Sequence, residues 1–257
     1  MKKIYFISDL HLGLYPAAKS REREKKVVRF LESIRHEVEE LYLVGDIFDF
    51  WHEHKRVVPK GFVRFLGKLA ELSDAGVKIY YFSGNHDVWA YGYFTEELNI
   101  AIYHKPIVRE YNGKKFFIGH GDGLGPGDNA YKLLKWGFRN PFLQWCFARL
   151  HPNFSMWLGL GWSKRSRYSK GILAEAYKGP KKEFLLRFVE QELKKTPYDY
   201  FVFGHRHIPW DLQIGNSRVI NLGDWIYSFT YAVFDGEKLE LRQFEGDGTN
   251  IRRKQEP

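Results

Sequence analysis

Cysteine is almost missing from the 257-residue chain, with Cys146 its only representative. This excludes an internal disulfide and a zinc site built from several thiolates, and it fits a reducing, cytoplasmic setting. Long apolar runs are missing as well. No stretch approaches the roughly 20 apolar residues of a membrane-spanning helix, so a soluble or peripheral protein is expected. Met1-Lys2-Lys3 followed by Ile4-Tyr5-Phe6-Ile7 has the outline of a signal peptide, but Asp9 and His11 break the apolar run too early, and the segment reads as a first strand. Internal repeats and low-complexity tracts are absent. Acidic residues are scarce in one segment: residues 124–182 hold 11 Lys/Arg against Asp128 and Glu175, whereas the 29 basic and 29 acidic residues elsewhere cancel. The whole excess of +9 sits in that segment and asks for an anionic partner there.

What the chain does contain is a series of short β-prone runs, each closed by a polar loop. Ile4 to Ser8 leads into Ser8-Asp9-Leu10-His11-Leu12-Gly13, and Leu41 to Val44 into Gly45-Asp46-Ile47-Phe48-Asp49. Val77 to Phe82 leads into Ser83-Gly84-Asn85-His86-Asp87, Lys115 to Ile118 into Gly119-His120-Gly121-Asp122, and Tyr198 to Phe203 into Gly204-His205-Arg206-His207. Between them the spacing predicts helices over 22–39, with Val27, Phe30, Leu31, Ile34 and Val38 on one face, over 62–75, stopped by Gly76, and over 183–195. A short helix is expected at 94–98, a strand at 107–110 before the Asn112-Gly113 turn, a strand at 218–222, and a closing hairpin of 229–234 with 239–243. The tail from Gly246 onward reads as polar and frayed. Strands alternating with helices make an α/β protein, whose ligands bind outside the carboxyl ends of the strands.

Taken singly, each loop has a plain reading. Gly-Asn is turn chemistry, Asp87 can cap a helix, and Asp-x-His pairs are common. Five such clusters, all at strand ends, point instead to a shared centre. Their donors are Asp9, His11, Asp46, Asn85, His120, His205 and His207: nitrogen and hard oxygen, no thiolate. The set suits Mn(II), Fe or Zn, and seven donors are too many for one open tetrahedral site, so two metals are implied. Two adjacent ions can clamp and neutralise a phosphoryl group during in-line attack. His52 and His54, in Trp-His-Glu-His-Lys, read as surface or rim residues. Asp49, Asp87, Asp122 and Asp224 either orient the histidines or serve as turn residues and caps.

Residues 124–182 differ in texture. Short helices are predicted at 131–136, 141–150 and 154–160, and Trp136, Trp145, Trp157 and Trp162 alternate with Lys135, Arg139, Arg149, Lys164, Arg165, Arg167 and Lys170. The aromatics either form the core of a small helical subdomain or belong to an inserted cap for a substrate with phosphate and apolar parts. Single-stranded nucleic acid is the other partner that basic and aromatic residues suit, but Phe142-Leu143, Trp145-Cys146-Phe147 and Met156-Trp157-Leu158 favour lipid. A non-catalytic scaffold would have no use for so complete a donor set.

The order Asp-x-His, Gly-Asp-x-x-Asp, Gly-Asn-His-Asp, Gly-His-Gly-Asp, Gly-His-x-His, from Asp9 to His207, resembles the calcineurin-like metallophosphoesterases. The resemblance implies one domain over 1–257, a four-layer α/β/β/α sandwich with the helical insertion at 124–182 as its lid. It implies that Asp9, His11, Asp46 and His207 hold one metal and Asp46, Asn85, His120 and His205 the other, with Asp46 bridging and His86 in the catalytic histidine's slot. Within the superfamily the chain resembles the UDP-2,3-diacylglucosamine hydrolases of lipid A synthesis, through Ser8-Asp9-Leu10-His11-Leu12, through Gly119-His120-Gly121-Asp122 followed by Asp128 and Tyr131, and through the basic insertion. That implies cleavage of the pyrophosphate to UMP and 2,3-diacylglucosamine 1-phosphate, usually with manganese. It also implies work on a nucleotide-linked glycolipid at the anionic inner face of the bacterial inner membrane, with no nucleic acid and no obligate protein partner. Asn85, His86, Asp128, Ser163, Arg167, Lys170 and His205 fall at spacings like those of the family's substrate contacts. Proteobacterial members carry Arg where this chain has His86, and Arg206 or a lid arginine is available to supply that charge.

Overall fold

Alternation along the strands decides the architecture. In β1 (Lys3–Ile7), Ile4 and Phe6 face one way while Tyr5 and Ile7 face the other, and all four are buried. A strand apolar on both faces needs a layer on each side. β2 (Val38–Val44), β3 (Lys78–Phe82) and β4 (Ala101–Tyr103) continue from β1 in parallel, and the antiparallel pair β10 (Thr230–Phe234) and β11 (Leu239–Gln243) completes this first sheet in the order β11-β10-β1-β2-β3-β4. The second sheet runs β12-β8-β9-β7-β6-β5, built from β5 (Ile107–Tyr111), β6 (Lys114–Ile118), β7 (Tyr200–Phe203), β8 (Pro209–Ile214), β9 (Ser217–Leu222) and β12 (Arg252–Lys254). This computed structural model describes residues 2–125, 129–170, 183–248 and 251–254.

Each sheet buries one face against the other and one against helices. Ile4, Phe6, Tyr42, Val44 and Phe82 meet Phe116, Ile118, Val202 and Ile220 between the sheets. On the outside of the first sheet, Tyr5, Ile7, Leu43 and Tyr81 pack under α1 (Ala17–Ile34) and α2 (Val63–Asp74) through Val27, Phe30, Phe65 and Leu69. Outside the second, Phe117, Phe201 and Phe203 pack under Leu185, Leu186 and Val189 of α7 (Phe184–Leu193). The layers are therefore α/β/β/α, as the resemblance implies. A short α3 (Tyr93–Leu98) precedes β4, and α4 (Asn129–Arg139), α5 (Pro141–Phe147) and α6 (Pro152–Lys170) lie between β6 and α7.

Several expectations are corrected. The first helix occupies 17–34 and not 22–39, because Val38 opens β2 and pairs with Lys3. β4 and β8 were not foreseen. β8 carries the alternation Trp210, Leu212, Ile214 and turns through Gly215-Asn216 into β9, a hairpin pattern overshadowed by the preceding histidine block and by Pro209. The tail is not wholly frayed, since Arg252 to Lys254 pairs with β8 in parallel. The third cap helix runs unbroken to Lys170.

Phe6 tests the inter-sheet layer. Its ring is fully buried, stacked on Tyr42 at 4.9 Å and facing Phe116 at 6.3 Å. Phe6→Ala leaves a cavity between two sheets that cannot close on it, and should cost about 3–5 kcal/mol. In urea unfolding this appears as a lower midpoint with an unchanged slope.

Candidate metal centre

Five parallel strands of the two sheets, β1, β2 and β3 beside one another and β6 beside β7, end at one crevice. The loops there turn so sharply that Asp9, His11, Asp46, His205 and His207 all have positive φ, between 43° and 69°. Such backbone is costly for residues other than glycine and persists where the surroundings impose it, which concentrates at functional sites. Glycines make room for the crowding. A side chain on Gly45, itself at φ 84°, would overlap the His120 ring, and one on Gly84 would overlap the Asp46 carboxylate.

The structure brings the seven predicted donors together. Asp9 Oδ1 lies 3.4 Å from His207 Nε2, and His11 Nε2 lies 3.3 Å from His207 Nε2 and 3.8 Å from Asp46 Oδ2. Asp46 Oδ2 is 3.3 Å from His120 Nε2, and Asn85 Oδ1 is 2.8 Å from His205 Nδ1. The ligand atoms fall into overlapping groups: Asp9, His11 and His207; Asp46, His120 and His205; and between them His11, Asp46 and His86. Asp9 Oδ1 and His120 Nε2 are buried and lack a hydrogen-bond partner. Buried polar atoms are rarely left so, and here both would be satisfied by a cation among oxygen and imidazole donors. The residues thus fit divalent metal.

A second layer holds the donors in place. His120 Nδ1 donates to the Val44 carbonyl at 2.9 Å, which leaves Nε2 to the crevice. His207 Nδ1 faces Asp224 Oδ2 at 3.4 Å, and His11 Nδ1 faces Asp49 Oδ1 at 3.5 Å. Asp224 is also a turn residue, its other oxygen accepting from the backbone of Ile226, Tyr227 and Ser228. Asp87 clamps two loops: one oxygen accepts from Gly84 N, the other from Ile47 N and the Tyr81 hydroxyl. Asp122 instead accepts from Lys135 of α4 at 2.5 Å. Sequence reasoning did not single out Arg23, which is buried and donates to the carbonyls of Leu10 and His11, fixing the first loop.

Charge explains why the cluster wants cations. Burial would neutralise Asp46, but His120 and His86 outweigh it and hold its carboxyl well below the usual carboxylate range. Burial pushes Asp9 up to about 6, against the pull of His207 and His120. Burial also opposes charge on the histidines, yet Asp46 takes His120 up to about 10, and Asp9 with Asp224 takes His207 up to about 9. Protons on these rings compensate the buried carboxylates, and metal binding must release them.

Other expectations fare differently. His52 is not a rim residue: it is buried against Trp89 and Phe147, and burial, with His54 beside it, lowers it to about 4. His54 meets Ser155 of α6 at 3.2 Å. Arg206 does not supply a charge to the crevice; its guanidinium is buried in a two-point pair with Glu183 at 2.8 and 3.0 Å. Ser163 is buried against Asp49 and His86. Asp128 lies outside the described residues, as do the side chains of Arg167 and Lys170 at the end of α6. Among the described residues the aromatics of this segment form no closed core of their own. Trp136, Phe142 and Trp157 are 64%, 68% and 67% exposed, and α5 buries no residue.

Comparison with known proteins adds to this geometry. The sequence pattern of the family described as Calcineurin-like phosphoesterase matches residues 2–209. The chain is 41% identical over 256 residues to UDP-2,3-diacylglucosamine hydrolase of Porphyromonas gingivalis, covering 95% of this chain and 98% of that one. It is 28% identical to the protein of the same name from Ectopseudomonas mendocina, covering 94% and 98%. Among solved structures, an archaeal phosphodiesterase gives a TM-score of 0.47 at 18% identity, covering 93% of this chain and 97% of that one.

Gly84 offers a test of the centre. Gly84→Ala adds one methyl against the Asp46 carboxylate and should weaken Mn(II) binding by at least about tenfold, a shift of about 1.4 kcal/mol in titration calorimetry. Gly67→Ala, on α2 with open space around it, should leave binding unchanged.

Proposed function

The chain belongs to the calcineurin-like phosphoesterase family, and on that premise we propose that it hydrolyses the pyrophosphate bond of UDP-2,3-diacylglucosamine, releasing UMP and 2,3-diacylglucosamine 1-phosphate for lipid A synthesis. The observation that carries the substrate reading is the pair of cavities flanking the centre. One, of about 1040 Å³, starts beside the His11 loop at Leu12 and Gly13 and runs between Phe50, Val58, Met156 and Leu160, with Arg21 and Arg64 also on its wall. The other, of about 180 Å³, opens at His120 and is bordered by Lys105, Lys135 and Arg139. A large, mainly apolar space on one side and a small basic one on the other suit a molecule with acyl chains at one end and phosphate at the other. The names of the relatives from P. gingivalis and E. mendocina support the same substrate.

Two divalent ions, most simply Mn(II), are assigned to the seven donors: Asp9, His11, Asp46 and His207 for one, Asp46, Asn85, His120 and His205 for the other. When bound they supply the charge that neutralises the phosphoryl group. The chain's own residues do the rest. Asp46 holds the two groups of donors in register, its Oδ1 accepting from the backbone N–H of His86 at 2.9 Å while Oδ2 faces His11 and His120. The His86 ring stands edge-on to His11 at 4.8 Å, its Nδ1 donating to the Asp49 carbonyl at 3.0 Å. Its Nε2 is then the nitrogen available to a phosphoryl or leaving-group oxygen, and it donates there, as a general acid must, only when the ring takes up a second proton to become imidazolium.

The segment 124–182 is assigned as an inserted lid. Its exposed tryptophans and Phe142 share the segment with Arg139, Arg149 and Lys164, and the Arg149 guanidinium lies 4.7 Å over Trp145. Apolar rings with a basic fringe suit shallow insertion into an anionic bilayer surface, where a diacylated substrate resides. Among the described residues no helix is long and apolar enough to cross a membrane. We place the protein at the cytoplasmic face of the inner membrane, held there peripherally.

The test is UMP release from UDP-2,3-diacylglucosamine by chelator-stripped protein with and without Mn(II). Metal-dependent release is expected, and Met156→Gln with Leu160→Gln should reduce it at least about tenfold, since polar groups in the apolar cavity cost roughly 1–3 kcal/mol each, while a small chromogenic diester is still cleaved. Cleavage of that diester with no action on the lipid nucleotide would leave a phosphodiesterase or nuclease of the same fold.

A further inference from the structure

Three small residues at helical spacing, Ser155, Gly159 and Ser163, place one stripe of α6 against the segment that follows the β2 loop. Ser155 is fully buried and meets His54 at 3.2 Å. Gly159 sits so close to Phe50 that an added Cβ would overlap the aromatic ring. One turn on, Ser163 is 3% exposed, with Oγ 3.0 Å from Asp49 Oδ2 and 3.1 Å from His86 Nδ1. The spacing i, i+4, i+8 keeps all three on one face, and the absence of side-chain bulk lets the helix backbone approach the core.

The hydrogen bonds at Ser163 have one consistent assignment. The Asp49 carbonyl is an acceptor only, so His86 Nδ1, 3.0 Å away, carries the proton. That N–H is shared with Ser163 Oγ, which accepts from it and donates its own proton to Asp49 Oδ2. The other Asp49 oxygen faces His11 Nδ1 at 3.5 Å. One carboxylate therefore links the lid helix to two histidines of the centre. We infer that Ser163 is a positioning residue: seated by the Gly159 contact, its hydroxyl fixes the His86 ring and the Asp49 carboxylate, so that docking of the lid helix completes the catalytic site as well as roofing the lipid cavity. The inference rests on His86 as the donor to the phosphoryl group, and not on the identity of the lipid. It differs from a role for Ser163 as a substrate contact, which would matter only for substrates that reach the lid.

The full-length Mn(II) protein with Ser163→Ala tests it on bis(p-nitrophenyl) phosphate, which is too small to span the lid cavity. Loss of one positioning hydrogen bond should lower kcat about tenfold on this diester, with KM within about twofold. Gly159→Ala, which pushes the helix off Phe50 and leaves Ser163 chemically intact, should give the same pattern. An independent readout uses metal-free protein with ¹⁵N-labelled histidine: the wild-type His86 resonances should report a proton on Nδ1, and Ser163→Ala should shift them. Unchanged diester kcat with a raised KM for the lipid nucleotide alone would overturn the inference in favour of a substrate contact, and unchanged His86 resonances would also overturn it. Should the wild type ignore the lipid nucleotide altogether, the diester and resonance arms still decide the role of Ser163.

Discussion

A buried carboxylate that is kept ionised, Asp46, is the constraint on which the site depends. Taking such a charge from water costs several kcal/mol unless cations and hydrogen bonds surround it. Here His120 and His11 stand at its outer oxygen, and the backbone N–H of His86 binds its inner one. The β2 loop that presents it adopts left-handed backbone at Gly45 and Asp46 and is pinned by Asp87 from the β3 loop. Removing any of these partners leaves a charge uncompensated in the interior, so the loops of both sheets are fixed relative to one another by the same electrostatic requirement that makes the crevice a metal site.

The requirement reaches outward through the shell of carboxylates. Asp49 connects His11 to α6 through Ser163, Asp122 ties the end of β6 to Lys135 of α4, and Asp224 joins His207 to the turn before β10. Two cap helices are thus attached at the loops that carry the donors. The large cavity begins where one of these attachments is made, since Phe50 is at once its wall and the seat of Gly159.

Much of this was legible in the sequence. The five donor blocks were readable because each follows a β-prone run, and in parallel strands the loop after such a run lies at one end of the sheet. Two-sided burial of Ile4 to Ile7 and Tyr200 to Phe203 likewise shows as unbroken apolar runs. What escaped depends on partners distant in the chain. Nothing local distinguishes Arg23 from the other charges of α1, or tells that Arg206 will be taken by Glu183. His52 looks polar and exposed until Trp89 and Phe147 are folded over it. β8 was hidden behind the histidine block, and β12 has no apolar pattern and exists because β8 offers it an open edge. The cap tryptophans could be read as core or as surface, since composition is the same in either case and only packing separates them.

The most direct measurement of the central claim is electron paramagnetic resonance of the protein loaded with Mn(II) and freed of excess metal, with the metal content determined on the same sample. Two ions per chain and a spectrum broadened by exchange between neighbouring Mn(II) ions are predicted, collapsing in Asp46→Asn to the six-line pattern of isolated ions, the outcome expected of an ion pair that would share the Asp46 carboxylate. A six-line spectrum from the wild type with one ion per chain would contradict it.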